Sequence, residues 1–285
     1  MAEFLEAVVM ELLQDNPEPT LHQLLFRTSE RIIRGDEFSP EEKINITDKF
    51  LNNISDEAEL ERFMKTAKVK ENERNMYPLF FVPPESPHKR LIITGIIPKT
   101  HLFSANAYEL EILRILFMWR SDDERVKDML VKTKDRLKMT CFGEVFDKGE
   151  YLETSIALLR FLALVFPDEK SWIDKLFTGV QNGGKRNGAV VYYYFLMLSE
   201  IHSPEVDKLI RDGQGHFEKM TNIGTHRSYK LKYDNIVEPT RSHIARNCLL
   251  HFPEFEHLRN MKSYIGTDGN KHFDDAYPGH GNLIS

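Results

Sequence analysis

Cysteine is nearly missing from this chain: only Cys141 and Cys248 occur, far apart and outside any C-x-x-C spacing. This excludes a disulfide framework, a thiolate zinc site and a dithiol redox motif. Cys141 is left in a loop as a free structural thiol or a lone nucleophile. No block of Lys or Arg occurs either, and 44 acidic residues against 38 basic ones give a formal charge of −6. Without a basic face there is no electrostatic reason to bind nucleic acid. No apolar run approaches the roughly 18 residues that span a bilayer. The opening Met1-Ala2-Glu3-Phe4-Leu5-Glu6 puts acid where a secretory signal needs base. These absences predict a cytoplasmic chain with no nucleic-acid or membrane partner. At 285 residues it can bury a large core, and it reads as one helical-repeat domain over 1–285.

What is present is an alternation. Three times a strongly apolar helix-like run (108–119, 152–166, 189–201) ends in a short acidic or proline turn and is followed by a more polar amphipathic helix (124–137, 169–180, 205–210). The second helices carry apolar pairs four residues apart, Val126/Leu130, Trp172/Leu176 and Val206/Ile210, recurring at spacings of 46 and 34 residues. A helix apolar on most faces must be buried on most faces, whereas its amphipathic neighbour keeps one wet side. Stacked antiparallel hairpins in an inner and an outer layer satisfy both conditions. The fold class expected is therefore all-α, an incomplete α/α barrel or curved solenoid with minor β excursions.

The flanks divide into an N-terminal part (1–75), an irregular excursion (76–104), the hairpins (105–265) and a tail (266–285). Phe4, Leu5, Val8, Val9, Leu12 and Leu13 make a helical stripe. A second helix follows Pro19-Thr20 and stops at Gly35; Ser39-Pro40-Glu41-Glu42 opens a third, and Ser55-Asp56-Glu57 a fourth. Between them, the short apolar runs 79–82 and 91–93 are separated by a proline-rich stretch. They predict a hairpin or an extended excursion on the helices. The alternation of Tyr229, Leu231 and Tyr233 suggests a β-ribbon within 222–235. Helix resumes over 241–251, a short last helix runs through 258–264, and the glycine-rich tail is frayed or laid back across a surface.

The segment 105–212 resembles the α/α-toroid family, the helical barrels of terpenoid cyclases and protein prenyltransferases. The resemblance rests on 110–116 leading to Asp123-Glu124-Arg125-Val126, on 158–163 leading to Asp168, and on Gln181-Asn182-Gly183-Gly184 after an outer helix. It implies an architecture. The aspartate-rich acid motif of the cyclases and the zinc set of the prenyltransferases are both absent, Asp122-Asp123 being better read as a helix cap, so no catalytic residue is carried over.

In such an architecture every loop entering an inner helix lies at one end, and four qualify: 100–106, 140–150, 182–188 and 223–241. They hold His101, Asn106, Cys141, Glu144, Asp147, Glu150, Lys185, Arg186, His226, Arg227, Asp234, Glu238 and Arg241, with His243 just beyond. Glu144, Asp147, Glu150 and Glu153 form the densest carboxylate cluster. Two of them could divide acid and base roles if burial separated their pKa values; equally, Glu150 and Glu153 stand where they would cap the helix starting near Tyr151. The catalytic candidates are Glu144, Asp147, Glu150 and His243. Lys185, Arg186 and Asn187, in a glycine-flanked turn before a helix N-terminus, offer an anion pocket or a plain surface turn. With Tyr193, on an inner helix, and Arg241, they are the ligand-binding candidates. No i,i+4 histidine pair occurs and no metal site is expected; no cofactor is indicated. The leading functional expectation is a helical-repeat protein that binds a protein or peptide through its concave face or loop end. The alternative is an α/α-barrel enzyme acting on an apolar or sugar-like small molecule by general acid/base catalysis.

Overall fold

A computed structural model describes residues 18–85, 91–140, 150–183, 189–221, 233–265, 271–274 and 282–283. The chain is predominantly helical. The helices are α1 (Leu21–Arg34), α2 (Pro40–Leu51), α3 (Glu57–Thr66), α4 (His101–Arg120), α5 (Glu124–Lys138), α6 (Tyr151–Val165), α7 (Lys170–Asn182), α8 (Ala189–Glu200), α9 (Pro204–Asp212), α10 (Gln214–Thr221) and α11 (Tyr233–Leu249), with 3-10 turns at Glu71–Met76 and Pro253–Asn260. The stripe over residues 3–13 lies outside the described residues.

The first helices start and stop where side chains satisfy free backbone groups. Thr20, Ser39 and Asp56 each accept from the third helical N–H, while Gln23, Glu42 and Glu59 reach back to the cap N–H. Pro40 fills the first turn of α2, where its missing N–H costs nothing. Gly35 ends α1 in the left-handed region, φ +74°, its N–H returning to the Arg31 and Ile32 carbonyls. Asp123 caps α5, as its place in the turn suggested.

The two kinds of helix differ in burial as their patterns require. α4 buries an unbroken run from Phe103 to Leu110 and again from Ile112 to Leu116, and α6 buries every residue from Thr154 to Leu162. The amphipathic helices bury one face each: Val126, Met129, Leu130 and Leu137 on α5, Leu176 and Val180 on α7, Val206 and Ile210 on α9. α4 packs on α6, α6 on α8, α8 on α11 and α11 on α1, while α1 also touches α4. α5 pairs with α4, and α7 with α6. At about 1.5–3 kcal/mol for each fully buried large aliphatic side chain, this shared core is the main force holding the helices together.

Several boundaries differ from those the pattern suggests. α4 begins at His101 rather than near 108, so most of the 100–106 loop is helix. Thr100 caps it, accepting from the Phe103 N–H. α11 begins at Tyr233 and runs through Pro239, which places Asp234, Glu238 and Arg241 on a helix rather than a loop. Burial of Ile244, Ala245, Cys248 and Leu249 against α8 and α10 outweighs the roughly 3 kcal/mol that an interior proline costs. Residues 222–232, the rest of the suggested ribbon, lie outside the described residues. The last helix is only the 3-10 turn; Tyr264 falls in β1 (Lys262–Ile265), which pairs antiparallel with β2 (Lys271–Asp274) and β3 (Asn282–Leu283) in the order β2-β1-β3. Part of the tail is thus paired strand, with β2 touching α11.

The excursion is extended chain laid on the helices, without a strand over 76–85 or 91–100. A buried carboxylate holds its first part. The N–H groups of Leu79, Phe80 and Phe81 all donate to one oxygen of Glu109, at 2.9, 2.7 and 3.1 Å. The other oxygen accepts from Arg136 of α5 at 3.3 Å, and Arg136 also donates to Asn106, whose amide donates to the Met76 carbonyl. Burial pushes the Glu109 carboxyl up and the Arg136 guanidinium down, each opposed by the other's charge.

Candidate functional site

Among the described residues, two places that combine space with chemistry bear on the candidate site. The first lies between α1 and α4. His22, Leu25, Phe26 and Ser29 recur at i, i+3, i+4 and i+7 on α1, and Ser104, Ala107, Tyr108 and Glu111 recur identically on α4, so each set is one helix face. They line a cavity of about 40 Å³, completed by Pro83, Leu91, Ile92 and Ile93 and by Arg160 and Tyr193.

Its base is a four-membered ion cluster that joins three helices. Arg160 of α6 grips Glu200 of α8 through two bonds of 2.7 and 2.8 Å and donates to Glu111 of α4 at 2.9 Å. Arg114 lies 3.0 Å from Glu200 and 3.4 Å from Glu111. Two guanidinium and two carboxylate groups cancel in charge. Despite its burial, Arg160 is held well above its usual pKa by Glu111 and Glu200. Ser29 donates to Glu111 at 3.3 Å. Tyr193 lies with its ring 5.3 Å from the Arg160 guanidinium carbon; burial pushes its phenol up to about 12, Arg160 pulling the other way.

The second place is a surface cleft of about 450 Å³ between α3, the turn after it and α5. Leu60, Met64, Pro78, Leu79 and Met139 supply apolar surface, with Glu57, Glu61, Asp135, Arg74 and Lys132 around them. Met139 is 67% exposed and Leu79 36%. Val131, also exposed, stands one turn before Asp135 and two before Met139, continuing the same face of α5. The cleft sits at the end of α5 that leads into the 140–150 loop, where Asn75 donates to the Met139 carbonyl at 2.9 Å.

The candidates named from sequence are scattered across this framework. Glu144, Asp147, Lys185, Arg186 and Asn187 lie outside the described residues, as do Cys141, His226 and Arg227. Glu150 stands at the N-terminus of α6 but makes no cap bond to it. Its carboxylate instead accepts from the Lys99 N–H (2.7 Å), the Thr100 N–H (2.6 Å) and the Thr100 hydroxyl (2.6 Å), fastening the start of α4. Glu153 is half-buried and its carboxyl is raised, mainly by burial, with its own backbone N–H opposing that and Glu150 adding to it. Asn106, expected in a loop, is buried within α4, its amide donating to Met76 and Leu102. His243 is buried in α11, and Arg241 lies over the Tyr192 ring at 4.2 Å. Of the named residues, Tyr193 alone lines the cavity.

Sequence reasoning missed Glu109, Glu111, Arg114, Arg136, Arg160 and Glu200. The available signal was charge inside the most apolar helices, since buried Arg and Glu are rare unless paired. It missed a histidine pair as well: His251 approaches Asp207 at 2.9 Å and the Ser199 carbonyl at 3.3 Å, and His202 stacks on it at 4.2 Å. Cys248 is fully buried, which raises its thiol well above the usual value and makes it a poor nucleophile. Among the described residues no group of three or more His, Cys, Asp or Glu is arranged to hold a metal, and no helix is long and apolar enough to cross a membrane.

No protein-family model matches the chain, and neither does any curated protein or solved structure.

Proposed function

We propose that this is a helical-repeat protein that binds a peptide segment of a protein partner at its loop end, in the cleft between α3 and α5. In this reading α4, α6, α8, α11 and α1 form the inner tier of an α/α arrangement, and α5 and α7 belong to the outer one. The observation that carries it is the cleft: about 450 Å³, with Leu79 and Met139 exposed among charges of both signs. Methionine adapts its shape to apolar side chains without a fixed rotamer, which suits a recognition surface. The balanced rim favours a segment with two or three apolar anchors and flanking charges of both signs over a uniformly charged one.

The acid/base enzyme alternative draws less support. Both oxygens of Glu150 are engaged by backbone and hydroxyl donors, His243 is in the core, and no described cavity holds both. Affinity capture from the native host, comparing the unaltered chain with the double variant Leu79→Glu, Met139→Glu, tests the proposal. The expected result is a protein recovered by the first and lost by the second, with both chains unfolding at the same urea concentration. Equal recovery by the two chains, or none by the unaltered one, would overturn it.

A further inference from the structure

The cavity between α1 and α4 has a second chamber outside it. His22, Pro83 and Tyr108 line both the inner space and a surface cleft of about 320 Å³ that also contains Thr20, Asn53, Ser55 and Phe63. His22 and Tyr108 stack at 5.9 Å with their planes 25° apart, so an aromatic pair forms the partition. Three properties of the inner chamber define what would enter it.

The first is size. Allowing about 10–15 Å³ for each water-sized occupant, 40 Å³ takes an arm of about three or four heavy atoms. Leu25, Phe26, Leu91 and Ile93 would flank that arm, and Ala107 is the smallest side chain in the two facing stripes. The second is charge. Arg160 and Arg114 are already balanced by Glu111 and Glu200, so nothing at the base calls for an ion. The third is a polar handle. Ser104 is 3% exposed and its hydroxyl has no hydrogen-bond partner among the described residues. A buried hydroxyl left unpaired is costly, and a guest hydroxyl would recover that cost. The outer chamber offers Thr20, Asn53 and Ser55 beside aromatic faces, and its charged side chains are engaged with other groups, Arg62 lying 3.3 Å from Glu85 and Glu59 accepting from the Asp56 N–H at 3.2 Å, which suits a neutral, hydroxyl-rich head.

We propose that the two chambers together bind a small neutral molecule with a hydroxyl-rich head in the outer cleft and a short alkyl arm, ending in a hydroxyl, that reaches Ser104. This site shares no lining residue with the α3–α5 cleft, and it stands or falls separately from peptide binding.

Titration with 3-hydroxypropyl β-glucopyranoside and with propyl β-glucopyranoside, followed by calorimetry and by chemical shifts of the Tyr108 and Tyr193 rings, tests it. Both probes are expected to bind saturably. The hydroxypropyl probe should bind about three- to tenfold tighter, the usual value of one hydrogen bond. Ser104→Ala should abolish that preference while leaving the propyl probe unchanged. Ala107→Ile should weaken both probes about tenfold or more by filling the arm's space, with the melting temperature unchanged or raised. Absence of saturable binding to the unaltered chain overturns the proposal, and so does a hydroxyl preference that survives in Ser104→Ala. The serine variant removes almost no volume, so it keeps the test decisive should Ala107→Ile not fold.

Discussion

The most consequential residues are charged ones inside the core. Glu109 accepts three backbone N–H groups and faces Arg136, and both side chains are essentially fully buried. Removing one member of such a pair leaves the other charge uncompensated, which costs about 3–5 kcal/mol, whereas replacing both with apolar groups is far milder. Glu109→Gln is therefore expected to lower the unfolding free energy by about 3–5 kcal/mol in urea, and Glu109→Gln with Arg136→Met by clearly less. A pH effect belongs at this scale too. Partial desolvation of the largely exposed His202 ring, and then the neighbouring His251, lower its pKa below 6.5, with Asp207 acting the other way. The folded state thus resists a proton that the unfolded chain accepts below about 6.5. Stability is present in full above that value and falls as pH drops from it through the lowered folded value. His202→Phe, which keeps a ring for the stack, should lose less stability than the unaltered chain between pH 7.5 and about 5.5, read from urea midpoints. Equal losses would refute the assignment. None of these partners could be read from sequence: a lone Glu in an apolar helix shows that a countercharge is needed, but the distance from Glu109 to Arg136 or from His251 to Asp207 is set by folding.

At the scale of the element, local chemistry was largely legible. Thr20, Ser39, Asp56 and Asp123 cap the helices that follow them, and Gly35 closes α1, because these interactions span three or four residues and depend on nothing distant. Gly35→Ala is expected to cost about 1 kcal/mol, since a Cβ at φ +74° is strained even where there is room for it; equilibrium unfolding measures it. The elements misread are those governed by remote groups. α4 gains its first turn with Thr100 fastened by Glu150, 50 positions away in sequence. The end of α1 is finished by α11: Arg246 donates to the Arg34 carbonyl at 2.9 Å and Asn247 to Ile33 at 2.8 Å. Burial of that guanidinium pushes its pKa down to about 10. α11 itself runs through Pro239 for reasons of packing that no local propensity contains.

At the scale of the whole molecule, the cluster of Arg160, Glu111, Arg114 and Glu200 fastens α4, α6 and α8 at the base of the cavity, with Ser29 of α1 attached to Glu111. Arg160→Met should destabilise the chain by about 3–5 kcal/mol. It should also broaden the unfolding transition, because inner helices lose a shared anchor; a sharp transition with an unchanged midpoint would show that packing alone unites them. Sequence by itself determined the helical class, the contrast between helices buried on most faces and helices buried on one, and the caps, all of which follow from residue type and a period of 3.6. Only the tertiary structure decided that Glu111, Arg160 and Tyr193 meet beneath a cavity, that Leu79 and Met139 share a cleft, and that Glu150 serves a neighbouring helix. Each of these depends on distances between helices, and a one-dimensional pattern records which face of a helix is apolar but not which other helix that face will meet.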